Sequence, residues 1–152
     1  MALLLLLCVT AFRGALANHD VGGSITYQCL GGNNYLIDLD LFYDCSNPIV
    51  IGQVIHYESA CGSYLTDTIP VPPPMEVSQL CAASLPNSTC NGGGLLGINH
   101  YQYQTTLNLP PCPGGWTIWW ETCCRAVAYD LVGTEGTYLE ATIHNDIAAC
   151  DN

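Results

Sequence analysis

Between Tyr35 and Asp44 the chain changes character at every residue. Ile37, Leu39, Leu41 and Tyr43 fall on one parity, and Asp38, Asp40 and Asp44 fall on the other together with Leu36 and Phe42. A period of two is the period of a strand with one face buried, and a helix would scatter these apolar residues around its circumference. The same alternation recurs where Tyr101, Tyr103, Thr105, Leu107 and Leu109 interleave with Gln102, Gln104, Thr106 and Asn108. Trp116, Ile118 and Trp120 alternate with Thr117, Trp119 and Glu121, and Leu139, Ala141 and Ile143 with Tyr138, Glu140, Thr142 and His144. Gly23 to Cys29 reads as another strand, and Gly31-Gly32-Asn33-Asn34 predicts a tight hairpin turn into Tyr35. Val50 to Glu58 and Tyr64 to Ile69 are further strand candidates. Pro70 to Pro74 must be an extended connector, because proline rings forbid helix and central strand. Ser84 to Ile98 is the longest irregular stretch, and Gly92-Gly93-Gly94 within it predicts a mobile tip. Six to eight strands with no helical stretch predict an all-β fold, an antiparallel β-sandwich of the immunoglobulin or fibronectin type.

The chain of 152 residues is the length of one domain. Residues 1–17 read as a signal peptide: Leu3 to Val9 is an apolar run too short to cross a bilayer, and Ala15-Leu16-Ala17 is a small-x-small cleavage pattern. Residues 18–152 then form a single β-sandwich domain, secreted or displayed at the cell surface, with no transmembrane segment in the mature chain. Cys29, Cys45, Cys61, Cys81, Cys90, Cys112, Cys123, Cys124 and Cys150 remain as candidates for disulfides in an oxidising compartment. Their odd number leaves one without an internal partner. Four bridges among nine cysteines allow roughly 945 pairings, and the spacing selects none.

Charge removes several functions. Two Lys and Arg stand against 13 Asp and Glu, a formal net charge of -11, which repels phosphate backbones and excludes nucleic acid. With no lysine anywhere there is no catalytic amine. Arg125, the one Lys or Arg beyond the leader, reads as a structural partner for carboxylates or carbonyls. Gly-x-Ser-x-Gly, His-Glu-x-x-His, a phosphate loop and a dinucleotide fingerprint are all missing, and no Cys-x-x-Cys supports zinc. No catalytic residue and no cofactor is assigned, and the chain reads as no enzyme. Asn87-Ser88-Thr89 matches a glycosylation sequon and reads as a chance match.

Two constellations carry binding chemistry. Asp38, Asp40 and Asp44 share one side of a strand and offer hard oxygen ligands for calcium, the plain alternative being a solvated face. Tyr101, Tyr103 and Trp119 offer an aromatic platform for sugar rings, while Trp116 and Trp120 share a parity with Ile118 and belong in the core.

Val21-Gly22-Gly23-Ser24-Ile25-Thr26-Tyr27-Gln28-Cys29-Leu30-Gly31-Gly32-Asn33 resembles the opening of large secreted surface proteins of the Bacteroidota. Asp44-Cys45, Ser88 to Gly93, Trp116 to Ile118, Cys123 to Arg125 and Tyr138 to Ile143 continue the resemblance in order, although no basic residue precedes Asp44 where relatives often carry Arg. The resemblance implies an N-terminal β-rich module of multidomain proteins that carry PKD-like repeats and a gliding-motility-associated type IX secretion signal, with this chain a fragment of one. The function expected is a non-catalytic, adhesin-like extracellular module whose partner is a surface glycan or protein. A filament subunit binding copies of itself by strand exchange is the alternative. Below it stands a glycan-binding or glycan-cleaving domain, using two acids from Asp38, Asp40, Asp44, Glu58, Glu121 and Glu140.

Overall fold

The alternation at Tyr35 is realised as a strand whose odd residues are all buried. In the computed structural model, described for residues 20–46, 50–123 and 136–145, this strand is the second of eight. They are β1 (Asp20–Gly31), β2 (Asn34–Asp44), β3 (Gln53–Ser59), β4 (Tyr64–Ile69), β5 (Met75–Glu76), β6 (Ile98–Asn108), β7 (Trp116–Thr122) and β8 (Thr137–Ile143). They form two antiparallel sheets with orders β1-β2-β6-β5 and β4-β3-β7-β8. Lettered in chain order, that is ABED facing C′CFG, the strand order of an immunoglobulin-type sandwich. The signal-peptide residues, Cys124, Arg125 and Cys150 lie outside the described residues.

The hairpin turn forms where the sequence places it. Gly31 pairs with Asn34, so Gly32-Asn33 is a two-residue turn, with φ of 59° and 67°. Both residues are left-handed, which suits the right-handed twist of the flanking strands and restricts the turn to residues such as Gly and Asn. The connector from Pro70 to Pro74 carries the chain from β4 in one sheet to β5 in the other. The strand expected from Val50 starts three residues later, at Gln53.

The glycine-rich stretch is folded back on itself. Two 3-10 turns, Leu85–Asn87 and Thr89–Asn91, enclose a fully buried Ser88. Backbone bonds from Thr89 to Leu95 (2.7 Å), Gly93 to Ser88 (2.8 Å) and Leu95 to Asn87 (2.9 Å) knit the loop, and Cys45–Cys90 ties it to the end of β2. Gly93 is required because a Cβ there would overlap the backbone of Asn87. Its role is a close approach of two chain segments.

The core lies between the sheets. Ile37, Leu39, Leu41 and Tyr43 of β2 meet Tyr101, Tyr103 and Leu107 of β6, and Ile55, Trp116, Ile118, Trp120 and Ile143 face them from the other sheet. Three of its polar groups are partnered: Trp120 Nε1 donates to Gln53 Oε1 (2.9 Å), while Gln53 Nε2 (3.0 Å) and the Tyr103 hydroxyl (3.1 Å) donate to the carbonyl of Ile51. At the seam between β1 and β8, fully buried Asp20 accepts the Gly22 amide (3.0 Å) and the Thr137 hydroxyl (2.6 Å).

Burial above all, helped by Tyr103, Asp20 and Tyr101, pushes the Tyr43 hydroxyl far above the ordinary tyrosine range, and burial raises Tyr103 as well. An unfolded chain releases these protons near pH ~10. Above that pH the folded state holds protons that the unfolded state has lost, so stability falls as pH rises and is intact below it. Urea titrations at pH 8 to 11 are expected to show this decline, and Tyr43→Phe should make it shallower.

Candidate functional site on the outer aromatic face

In β3 the side chains of Gln53, Ile55 and Ser59 are buried, which turns Val54, His56 and Glu58 to the outer face of the β4-β3-β7-β8 sheet. In β7 the buried residues are Trp116, Ile118 and Trp120, so Thr117, Trp119 and Glu121 face outward. The register then sets His56 directly beside Trp119, Trp119 beside Glu140, and Glu58 beside both Tyr64 and Thr117.

Three rings meet there. His56 stacks on Trp119 with centroids 5.3 Å apart and planes 17° apart, and Tyr64 lies 5.9 Å from Trp119. The Tyr64 hydroxyl is hydrogen-bonded to His56 Nδ1 at 2.7 Å, which fixes both rings on the sheet. On β8, the Tyr138 hydroxyl donates to Glu140 (2.6 Å), a bond that stabilises the protonated phenol and pushes its pKa up to about 12. Tyr64 and Tyr138 remain 55% and 54% exposed, so the sandwich gains little by burying them. A cleft of about 420 Å³ opens beside the rings, walled by Trp119, Tyr138, Glu58 and Thr117 and floored by Ser59 and Gly115. A second groove of about 330 Å³ is more apolar, lined by Leu65, Pro110, Pro111, Trp116 and the Cys61–Cys112 bridge.

Of the three residues expected to form an aromatic platform, only Trp119 is on this face. Tyr101 and Tyr103 are 5% and 0% exposed in the core and cannot stack on a ligand from solvent, because they share the inward parity of Leu107. The acids are also separated. Asp38 accepts from Gln102 (2.9 Å) and Gln104 (3.0 Å), Asp40 pairs with His100 (2.5 Å), and Asp44 accepts the amide (2.8 Å) and hydroxyl (2.7 Å) of Ser46. The neighbouring strand β6 thus meets Asp38 and Asp40 with side-chain partners of its own, where a calcium site needs converging oxygens. Among the described residues no group of three or more His, Cys, Asp and Glu is placed to hold a metal ion.

His56, Tyr64 and Tyr138 were not singled out by sequence reasoning. A usable signal existed for two of them: a four-residue turn between two short strands places Glu58 opposite Tyr64 and leaves His56 diagonal to that tyrosine.

Disulfides clamp the sandwich at both ends. Cys45–Cys90 and Cys61–Cys112 have Cα separations of 4.8 and 6.0 Å, and Cys29 and Cys123 are disulfide-bonded as well. Among the described residues Cys81 alone is free; it is exposed, and the Ser84 hydroxyl at 3.2 Å holds its thiol below the usual thiol pKa. This is the chemistry of an oxidising compartment. Among the described residues no helix is long and apolar enough to cross a membrane.

The fold and this face together define a disulfide-clamped β-sandwich of immunoglobulin strand order that presents an aromatic patch beside a polar cleft. No family model, no curated protein and no solved structure matches the chain.

Proposed function

We propose that the chain is a non-catalytic extracellular module of a secreted or surface-displayed, adhesin-like protein, which binds its partner through the outer face of the β4-β3-β7-β8 sheet. The observation that carries this reading is the ring group of His56, Tyr64 and Trp119, fixed by stacking and a hydrogen bond yet held at the surface. Rigid, half-exposed aromatic side chains supply large contact area at small entropic cost, which is why they concentrate at binding surfaces. The ordered motifs from Val21 to Ile143 support placing the module within the secreted surface proteins of the Bacteroidota, exported by type IX secretion.

Beads coated with the chain are expected to adhere to cells of the source organism and to glycoprotein-coated plates. Tyr64→Ala combined with Trp119→Ala should reduce adhesion about tenfold, on the usual scale of lost aromatic anchors. Unchanged adhesion in that variant would refute the assignment of this face. A panel of glycans incubated with the chain should remain uncleaved.

A second reading, the filament subunit, draws on β1, a 12-residue strand at the edge of its sheet with Val21, Tyr27 and Leu30 exposed. Such an edge can accept a strand from another copy. Sedimentation showing polymer that survives dilution would favour it over the binding module.

A further inference from the structure

Resting on the binding face just described, we infer that the cleft beside Trp119 takes a neutral carbohydrate. His56 stacks on the Trp119 ring, and Trp119 lines the cleft together with Tyr138, a second aromatic wall. Aromatic faces stack on the CH faces of sugar rings, and such walls do most of the work of sugar binding in open clefts. Between the walls the lining is polar in both hydrogen-bonding senses. The Glu58 carboxylate accepts from hydroxyls, and the Thr117 hydroxyl donates or accepts. At Gly115 the cleft lining packs directly on the end of β8: a Cβ there would overlap the carbonyl of Ile143, and its φ of 77° favours glycine. The volume of about 420 Å³ lies within the range of small-ligand sites.

Charge narrows the class of sugar. Sialylated, sulfated and phosphorylated glycans are favoured by a cation, and the described residues include neither Lys nor Arg. Glu58 in the cleft and Glu140 beside Trp119 repel such ligands further. A cationic ligand would call for several carboxylates around the rings. Glu58 is the one acid that lines the cleft, while Glu121, opposite Tyr138, and Glu140, which accepts the Tyr138 hydroxyl, lie outside its lining.

The test is binding of the intact chain to an array of neutral, sialylated and sulfated glycans, with tri-lysine as a cationic probe, followed by calorimetry on the strongest neutral oligosaccharide. The expected result is selective binding of neutral oligosaccharides, weakened at least tenfold by Trp119→Ala, substantially restored by Trp119→Phe, and unchanged by Met75→Ala, an exposed residue of the other sheet. Circular dichroism verifies that each variant is folded. Preferred binding of an anionic glycan or of tri-lysine overturns the inference. So does the absence of any glycan binding while Trp119→Ala still abolishes bead adhesion, an outcome that leaves the broader binding function in place. Loss of neither glycan binding nor adhesion in Trp119→Ala overturns both.

Discussion

Replacing Trp120 with alanine lowers the stability of the domain by at least about 4 kcal/mol and shifts its urea midpoint down by roughly 2 M, with the slope unchanged. Trp120 is 1% exposed at the centre of the inter-sheet core, and its indole donates to Gln53. Truncation removes about 3–5 kcal/mol of packing and cavity energy, and it strands a buried acceptor on Gln53 for a further ~1–3 kcal/mol. Domains of this size hold about 5–15 kcal/mol in all, so the variant sits near the edge of folding. Trp119, the next residue, provides the control. It points outward, and its removal forfeits a stacking contact worth about 1 kcal/mol. If the two alanine variants unfold at similar urea concentrations, the assignment of inward and outward faces on β7 is wrong.

Removing either disulfide is the second large effect. Cys61–Cys112 closes a separation of 51 residues and Cys45–Cys90 one of 45. Loop-closure entropy depends only logarithmically on length, so each double replacement by alanine should cost about 4 kcal/mol, and the two costs should nearly match. Equilibrium urea titrations of Cys61→Ala with Cys112→Ala, and of Cys45→Ala with Cys90→Ala, measure this. A loss below about 1 kcal/mol for either pair would mean that the corresponding end is held by packing and hydrogen bonds alone.

Much of the architecture was legible because alternation is a local property. Ile37, Leu39 and Leu41 announced an inner face that pairing only had to complete, and Gly32-Asn33 carried its turn type in its own chemistry. The interior positions of Trp116 and Trp120 followed from the same parity. Applied consistently, that parity also places Tyr101 and Tyr103 with Leu107, yet tyrosine invites a surface role and so misdirects a reading by residue type. What stayed hidden was non-local. The partners of Cys45 and Cys61 are fixed by how β2, β3 and β6 are stacked in space, and spacing along the chain carries no trace of that. The ring group on the outer face needs, besides the local β3–β4 hairpin, the non-local register that sets His56 of β3 beside Trp119 of β7. Gly93 shows the same limit at short range, since flexibility and close approach call for the same residue.

The two bridges enclose overlapping lengths of chain, and this has a mechanical result. A pull running from Cys45 toward Cys112 can pass through the Cys61–Cys112 bond and skip the 51 residues it spans. Traction that tears the sheets apart would therefore release roughly 180 Å less contour than the bare polypeptide contains. A sandwich bridged this way yields little slack under load.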